Sequence, residues 1–161
     1  MLAYWLHQIA AHFYPMWAVV GPLVGVVIGA WLTARWQRKK WILDNKTSEY
    51  RGILDALNSY RFVLTEYYAL YKVAMVAVPA QKMYDDQIAL AKAQGAVNNA
   101  FADRIFTGLA VKQSGARDEW RSLALKLKAG TSGLDELLKS VDSTHGKLVK
   151  ASQADMKLHG E

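Results

Sequence analysis

The first 34 residues of the chain contain no Asp, Glu, Lys or Arg. Within them, residues 16–34 form an apolar stretch of 19 residues. As an α-helix this stretch would be about 28 Å long, close to the roughly 30 Å of a bilayer's hydrocarbon core. Buried helices of soluble proteins rarely continue this far without a charge, and a cleaved signal peptide carries its basic residues before the apolar stretch. The sequence therefore predicts a transmembrane helix over residues 15–34.

A cluster of basic residues follows this helix directly and consists of Arg35, Arg38, Lys39 and Lys40, whereas no Lys or Arg precedes the helix. Basic flanks stay on the cytoplasmic side of membranes. We therefore expect the N-terminus outside the cell and the C-terminal part in the cytoplasm, with these four side chains contacting anionic lipid headgroups. The cluster also supplies four of the six excess positive charges. Beyond it, basic and acidic residues alternate without forming a stripe, which argues against nucleic-acid binding.

Residues 1–14, which precede the span, are apolar but too few to cross a bilayer. Large apolar side chains recur there at intervals of three or four residues, as on one helix face: Leu2, Trp5, Leu6, Ile9 and Phe13. Two interpretations remain open, a short helix in the outer membrane interface or a weakly adsorbed terminus.

Small residues recur every fourth position within the span, at Gly21, Gly25, Gly29 and Thr33. This spacing leaves a shallow face on which a second helix backbone can approach closely. Glycine is also common in membrane helices for other reasons. The pattern favours packing of one membrane helix against another, and hence a homo-oligomer or a membrane-embedded protein partner.

The chain beyond the basic cluster has the pattern of a bundle helix. Counted from Trp36 as position a of a heptad, all nine a and d positions from Tyr50 to Val78 are apolar or aromatic. The g positions are apolar as well, and so wide a face is typical of a helical bundle rather than a two-stranded coiled coil. Upstream, the d positions are Lys39 and Lys46, so residues 35–46 are expected to form a solvated basic stalk.

Three further helices are expected after Pro79, over about residues 81–112, 117–129 and from 134 onward, with a turn at Ser114–Gly115. No segment has the pattern of a strand. The predicted fold is all-α, with one N-terminal transmembrane helix followed by a long helical hairpin and two shorter helices. These form a four-helix bundle-like domain over residues 47–152, and residues 153–161 are expected to form a frayed tail.

Residues that could carry chemistry are scarce. The chain has no Cys, which excludes disulfides and thiolate metal sites, and it has neither a Gly-rich phosphate loop nor a Glu-x-x-His pair. Glu49 and Glu66 lie at heptad positions g and c, away from the a/d seam. The helix-start pairs Asp118–Glu119 and Asp135–Glu136 are expected to be solvated or to compensate helix dipoles. The sequence thus predicts no catalytic residue, cofactor, metal or small-molecule substrate.

Several segments resemble a type of small bacterial single-pass membrane protein. They are RWQRKKWILDNKTSEYRGILDALNSY directly after the Gly-spaced helix, then AFADRIFTGLAV, DEW and KLVKASQADMKL. The resemblance covers about residues 20–157. It implies a location in the bacterial inner membrane and a cytoplasmic helical domain, and it brings no activity with it.

These observations favour a non-enzymatic, single-pass membrane protein that presents a helical bundle for contact with other proteins. An alternative is a membrane-perturbing protein of the holin or spanin type. A third is an enzyme that acts on a lipid-borne substrate, although no pair of titratable groups with the spacing of an active site is evident.

Overall fold

The computed structural model describes residues 2–70, 79–102, 104–129 and 133–160, with side chains described for 20–70, 79–102, 104–127 and 133–158. Within these ranges the chain forms five helices and no strand, which confirms the all-α prediction. The helices are α1 (Leu2–Tyr68), α2 (Ala80–Phe101), α3 (Gly108–Gln113), α4 (Ala116–Ala129) and α5 (Leu134–Gly160). Helical backbone continues through Asp44 and Asn45.

The chain divides into two compact units, an N-terminal unit (Met1–Trp41) and a C-terminal unit (Ile42–Glu161). In the part of the chain whose side chains are described, no helix contains a stretch that is both long enough and apolar enough to cross a membrane. The first five residues of the expected span, 15–19, lie outside that part.

The C-terminal unit is an antiparallel four-helix bundle. Ion pairs fix the direction of α5 against its neighbours: Lys46 and Arg61 of α1 bind Asp155 and Asp142, in reversed order along the two helices. The same reversal relates α4 to α5 through the pairs Glu119–Lys147 and Lys126–Glu136. The loop that follows the C-terminal end of α2 binds Glu49, which lies near the start of the part of α1 in this unit. Helix α2 therefore also runs antiparallel to α1. The short helix α3 lies in the connection between α2 and α4.

The heptad pattern of α1 correctly predicts the core. Its a and d residues Tyr50, Ile53, Leu57, Tyr60 and Leu64 are all buried. Tyr67, at the next d position, is half-buried, and the heptad positions after it fall in residues 71–78, which lie outside the described part of the chain. The other helices contribute a second set of buried apolar side chains: Val97, Phe101, Val111, Trp120, Leu123, Leu137, Val141 and Leu148.

Trp120 lies in this core and joins three helices. Its ring packs edge-on against Tyr60 of α1 at a centroid distance of 4.9 Å and lies nearly parallel to Phe101 of α2 at 6.5 Å. The indole Nε1 donates a hydrogen bond of 2.7 Å to the Asn98 Oδ1 of α2. Burial raises the pKa of the Tyr60 hydroxyl, so the residue stays neutral in the core.

The expectation of one helix over residues 81–112 is wrong. Helix α2 ends at Phe101, residues 104–107 are not helical, and α3 begins only at Gly108. The reason is a contact with a residue that is distant in sequence. The Glu49 carboxylate accepts hydrogen bonds from the amides of residues 105–107, which would otherwise need the carbonyl groups of a helix as partners. The predicted turn at Ser114–Gly115 is confirmed, and Gly115 has a positive φ of 70°, which favours glycine.

The expectation of a frayed tail is also wrong for residues 153–160, whereas Glu161 lies outside the described part of the chain. Helix α5 continues to Gly160, and Asp155 and Met156 are half-buried against α1. Since Asp155 binds a buried lysine on α1, the last turns of α5 have a tertiary anchor that the local sequence does not reveal.

Candidate functional site

The glycine face predicted in the span lies on α1. A methyl group in place of the Gly25 or Gly29 hydrogen would meet no heavy atom within 4 Å. The Thr33 hydroxyl donates a hydrogen bond of 2.8 Å to the Gly29 carbonyl, one turn earlier, and Gly21 is half-buried. The face at Gly25 and Gly29 is therefore not filled by any described part of the chain, and helix–helix packing there stays a prediction.

The basic cluster is exposed on the same helix. The Arg35 guanidinium lies 5.4 Å from the Trp31 ring centroid, and the Lys40 ammonium lies 5.6 Å from that of Trp36. Such cation–π contacts suit a headgroup region, where aromatic rings and cations both find partners. Arg38 and Lys39 are exposed as well. Lipid contact by these four residues stays a prediction.

The C-terminal unit contains a candidate site that the sequence did not predict. It is a groove of about 660 Å³ between α3 and α5, with Lys46 of α1 at its base, and we call it the α3–α5 groove. Much of its wall is apolar. Two large apolar side chains on its rim are strongly exposed, Leu109 at 72% and Leu158 at 79%. The remaining lining residues are Phe106, Ala110, Gln113, Ser114, Lys147, Lys150, Ala151, Ala154 and Asp155.

A buried ion pair closes the base of the groove. The Lys46 Nζ lies 2.7 Å from the Asp155 Oδ1, and the two side chains are only 8% and 11% exposed. The Tyr50 hydroxyl donates a hydrogen bond of 3.2 Å to the Asp155 Oδ2. Burial and the neighbouring Asp155 carboxylate raise the pKa of Tyr50, so its hydroxyl stays protonated as a donor. The prediction that Lys46 belongs to a solvated stalk is therefore wrong, because Lys46 is buried in the bundle.

A second acidic residue fixes the loop on the rim of the groove. Glu49 accepts hydrogen bonds from the Ile105, Phe106 and Thr107 amides at 3.3, 3.3 and 2.9 Å, and from the Thr107 hydroxyl at 2.8 Å. Four donors on one carboxylate hold the loop firmly, because hydrogen bonds to a charged acceptor are stronger than neutral ones. The heptad position of Glu49, away from the a/d seam, did not reveal this contact with the loop.

The Glu119 carboxylate provides a third polar contact near the groove, between α4 and α5. Lys147, which lines the groove, binds Glu119 at 2.8 Å. Burial alone would raise the pKa of Glu119, but hydrogen bonds from Lys147 and Ser143 and the positive charge of Lys147 outweigh it and lower the pKa. Glu119 is therefore ionised at neutral pH, and its partner Lys147 remains 45% exposed toward solvent.

Both apolar and charged side chains line the groove. Among the described residues, no group of three or more His, Asp or Glu side chains is placed to hold a metal ion. Its one described acidic lining residue, Asp155, is paired with Lys46, and Lys147 is paired with Glu119, while Lys150 adds positive charge. The groove therefore combines apolar walls with a net positive rim.

Comparison of the chain with models of protein families, with curated proteins and with solved structures found no match in any of the three.

Proposed function

We propose that the chain is a single-pass protein of the bacterial inner membrane that anchors a cytoplasmic helical domain and acts as a non-enzymatic interaction module. The observation that carries this proposal is the surface of helix α1 over residues 20–34. Eight large apolar side chains there are between 42% and 69% exposed: Val20, Leu23, Val24, Val26, Val27, Ile28, Trp31 and Leu32.

An apolar surface of this extent is costly in water. Full burial of one such aliphatic side chain is favourable by about 1.5–3 kcal/mol, so eight of them on one uncharged helix strongly favour an apolar surrounding. They are exposed on several sides of the helix rather than along one stripe, as consecutive positions such as Val26, Val27 and Ile28 illustrate. Lipid can cover all sides at once, which a single partner helix cannot.

The orientation in the proposal follows from the basic cluster. Arg35, Arg38, Lys39 and Lys40 adjoin only the C-terminal end of the apolar helix. The positive-inside rule then places the bundle in the cytoplasm. A bundle with its own core of 15 buried apolar residues suits an interaction domain better than a membrane-perturbing protein, which needs no such domain.

Self-association through the glycine face is the part of this function that a substitution tests most simply. A single cysteine at Gln37, one helical turn after Thr33, can be oxidised in isolated membranes of cells that make the full chain, which otherwise has no Cys. We expect a disulfide-linked dimer. Gly25→Leu should reduce its yield about tenfold if the close contact contributes about 1.4 kcal/mol.

Val26→Leu is the matched control, since it enlarges a neighbouring residue that lies off the glycine face. The dimer yield should be unchanged in this variant. Equal yields for Gly25→Leu and the parent chain would remove the glycine contact from the account, and recovery of the chain in the soluble fraction would contradict the anchor itself.

A further inference from the structure

We propose that the α3–α5 groove is a second membrane contact, at which the C-terminal unit binds the surface of a bilayer that contains anionic lipid. The contact would insert Leu109 and Leu158 among the lipids and place Lys150 against phosphate groups. It goes beyond the anchor, although it rests on the proposed membrane location.

The apolar part of this surface comes from two separate elements, with Leu109 on α3 and Leu158 on α5, 72% and 79% exposed. Ile105, which precedes the lining residue Phe106 in the loop after α2, is 86% exposed. These are the three most exposed large apolar side chains described for this unit. Large apolar side chains this exposed near one groove indicate a binding surface, and side chains that project singly can enter the interface of a bilayer.

The charge of the surface is complementary to anionic lipid. Lys150 lines the groove beside the apolar wall, and Lys157 precedes Leu158 on α5. The other two lysines of the groove are paired, Lys46 with the lining residue Asp155 and Lys147 with Glu119. Each Lys or Arg held near an anionic membrane surface strengthens binding about fivefold.

The surface is also preformed. The four hydrogen bonds to Glu49 fix the loop that carries Ile105, and the Lys46–Asp155 pair fixes the turn of α5 that precedes Leu158. Binding by a fixed surface does not require a loop to be ordered, so little conformational entropy is lost.

Connectivity favours lipid over an acidic protein helix as the occupant. Lys46 at the base of the groove follows Lys40 of the basic cluster by only six residues. If that cluster binds headgroups, lipid is present near the groove at a high effective concentration, whereas a separate protein would have to bind from solution.

The test uses full-length chains with one introduced cysteine, labelled with the fluorophore NBD and reconstituted into vesicles. Leu109→Cys reports on the groove. Leu125→Cys is the matched control, because Leu125 is 67% exposed and lines a different groove, between α2 and α4. Val27→Cys reports on the anchor. The vesicles contain phosphatidylcholine with or without phosphatidylglycerol.

In anionic vesicles we expect NBD at position 109 to be quenched by brominated lipid and protected from iodide in water. NBD at position 125 should be quenched by iodide and not by brominated lipid. Lys150→Glu should weaken the protection at 109 about fivefold or more. Vesicles without phosphatidylglycerol should abolish most of it.

Three outcomes would overturn the inference. If iodide quenches NBD equally at positions 109 and 125 while brominated lipid quenches NBD at position 27, the anchor is supported and the second contact is wrong. Protection of 109 from both quenchers would mean that protein covers the groove. Equal quenching at 109 in neutral vesicles would contradict the role of charge. Iodide quenching at 27 would instead contradict the proposed anchor.

Discussion

Asp155→Ala is expected to lower the free energy of unfolding by about 3 kcal/mol, because it leaves the ammonium of Lys46 buried without its counter-charge. The Lys46 side chain is only 8% exposed, so water cannot replace the lost carboxylate. Tyr50 loses a hydrogen-bond acceptor as well. Denaturant unfolding of the full-length chain in mild detergent, followed by far-UV circular dichroism, measures the change.

The chain offers a matched control for this substitution. Lys126 and Glu136 form an ion pair of the same length, 2.7 Å, but their side chains are 41% and 56% exposed. Glu136→Ala should therefore cost less than about 0.5 kcal/mol. The double variant Lys46→Met with Asp155→Leu should recover most of the stability lost in Asp155→Ala, because it removes both charges and keeps apolar volume. Similar losses for Asp155→Ala and Glu136→Ala would contradict the burial of the Lys46–Asp155 pair.

Trp120→Ala is expected to be the most destabilising single core substitution, with a loss of about 3–5 kcal/mol. Trp120 is 1% exposed, so its removal leaves a large cavity between α1, α2 and α4. The edge-on contact with Tyr60 and the hydrogen bond to Asn98 disappear at the same time. Thermal unfolding followed by circular dichroism should show a lower midpoint and a less cooperative transition.

Phe62→Ala is the control for Trp120→Ala. Phe62 is also aromatic and belongs to the same unit, but it is 64% exposed on α1. Its replacement should change the free energy of unfolding by less than about 0.5 kcal/mol. If Phe62→Ala proved as damaging as Trp120→Ala, the assignment of the core would be wrong.

The part of the fold that could be predicted from the sequence is the part set by local periodicity. The heptad spacing from Tyr50 to Leu64 predicts the buried face of α1, since side chains at a and d positions share one side of a helix. The turn at Gly115 was equally predictable, because a residue with positive φ favours glycine.

The candidate groove could not be predicted because its polar contacts join distant parts of the chain. Lys46 and Asp155 are separated by 109 positions, and each alone resembles a solvated residue on a helix. Glu49 and Thr107 are separated by 58 positions. The one sequence signal for Lys46 was its d position in the heptad, which indicates a residue facing the core, and the basic residues around it favoured the opposite interpretation.

These contacts give the groove its proposed role. The Lys46–Asp155 pair and the Glu49 hydrogen bonds hold α5 and the loop of residues 105–107 against α1. They hold the apolar side chains of the rim, Leu109 and Leu158, in exposed positions that packing of the core does not by itself explain. Substitution of these polar residues is therefore expected to lower the stability of the bundle and to weaken the membrane contact.

Cysteine scanning of the full-length chain in native membranes distinguishes an apolar helix that lies in lipid over residues 16–34 from one that is exposed to water. Single cysteines at each position from Met16 to Lys46 would be treated with a membrane-impermeant maleimide. We predict a continuous block of unreactive positions over 16–34, and reaction at Asp44 only after the cytoplasmic face is made accessible. Reactivity that recurs every three or four residues across positions 20–34, or labelling of position 44 from outside intact cells, would contradict the proposed placement in the membrane.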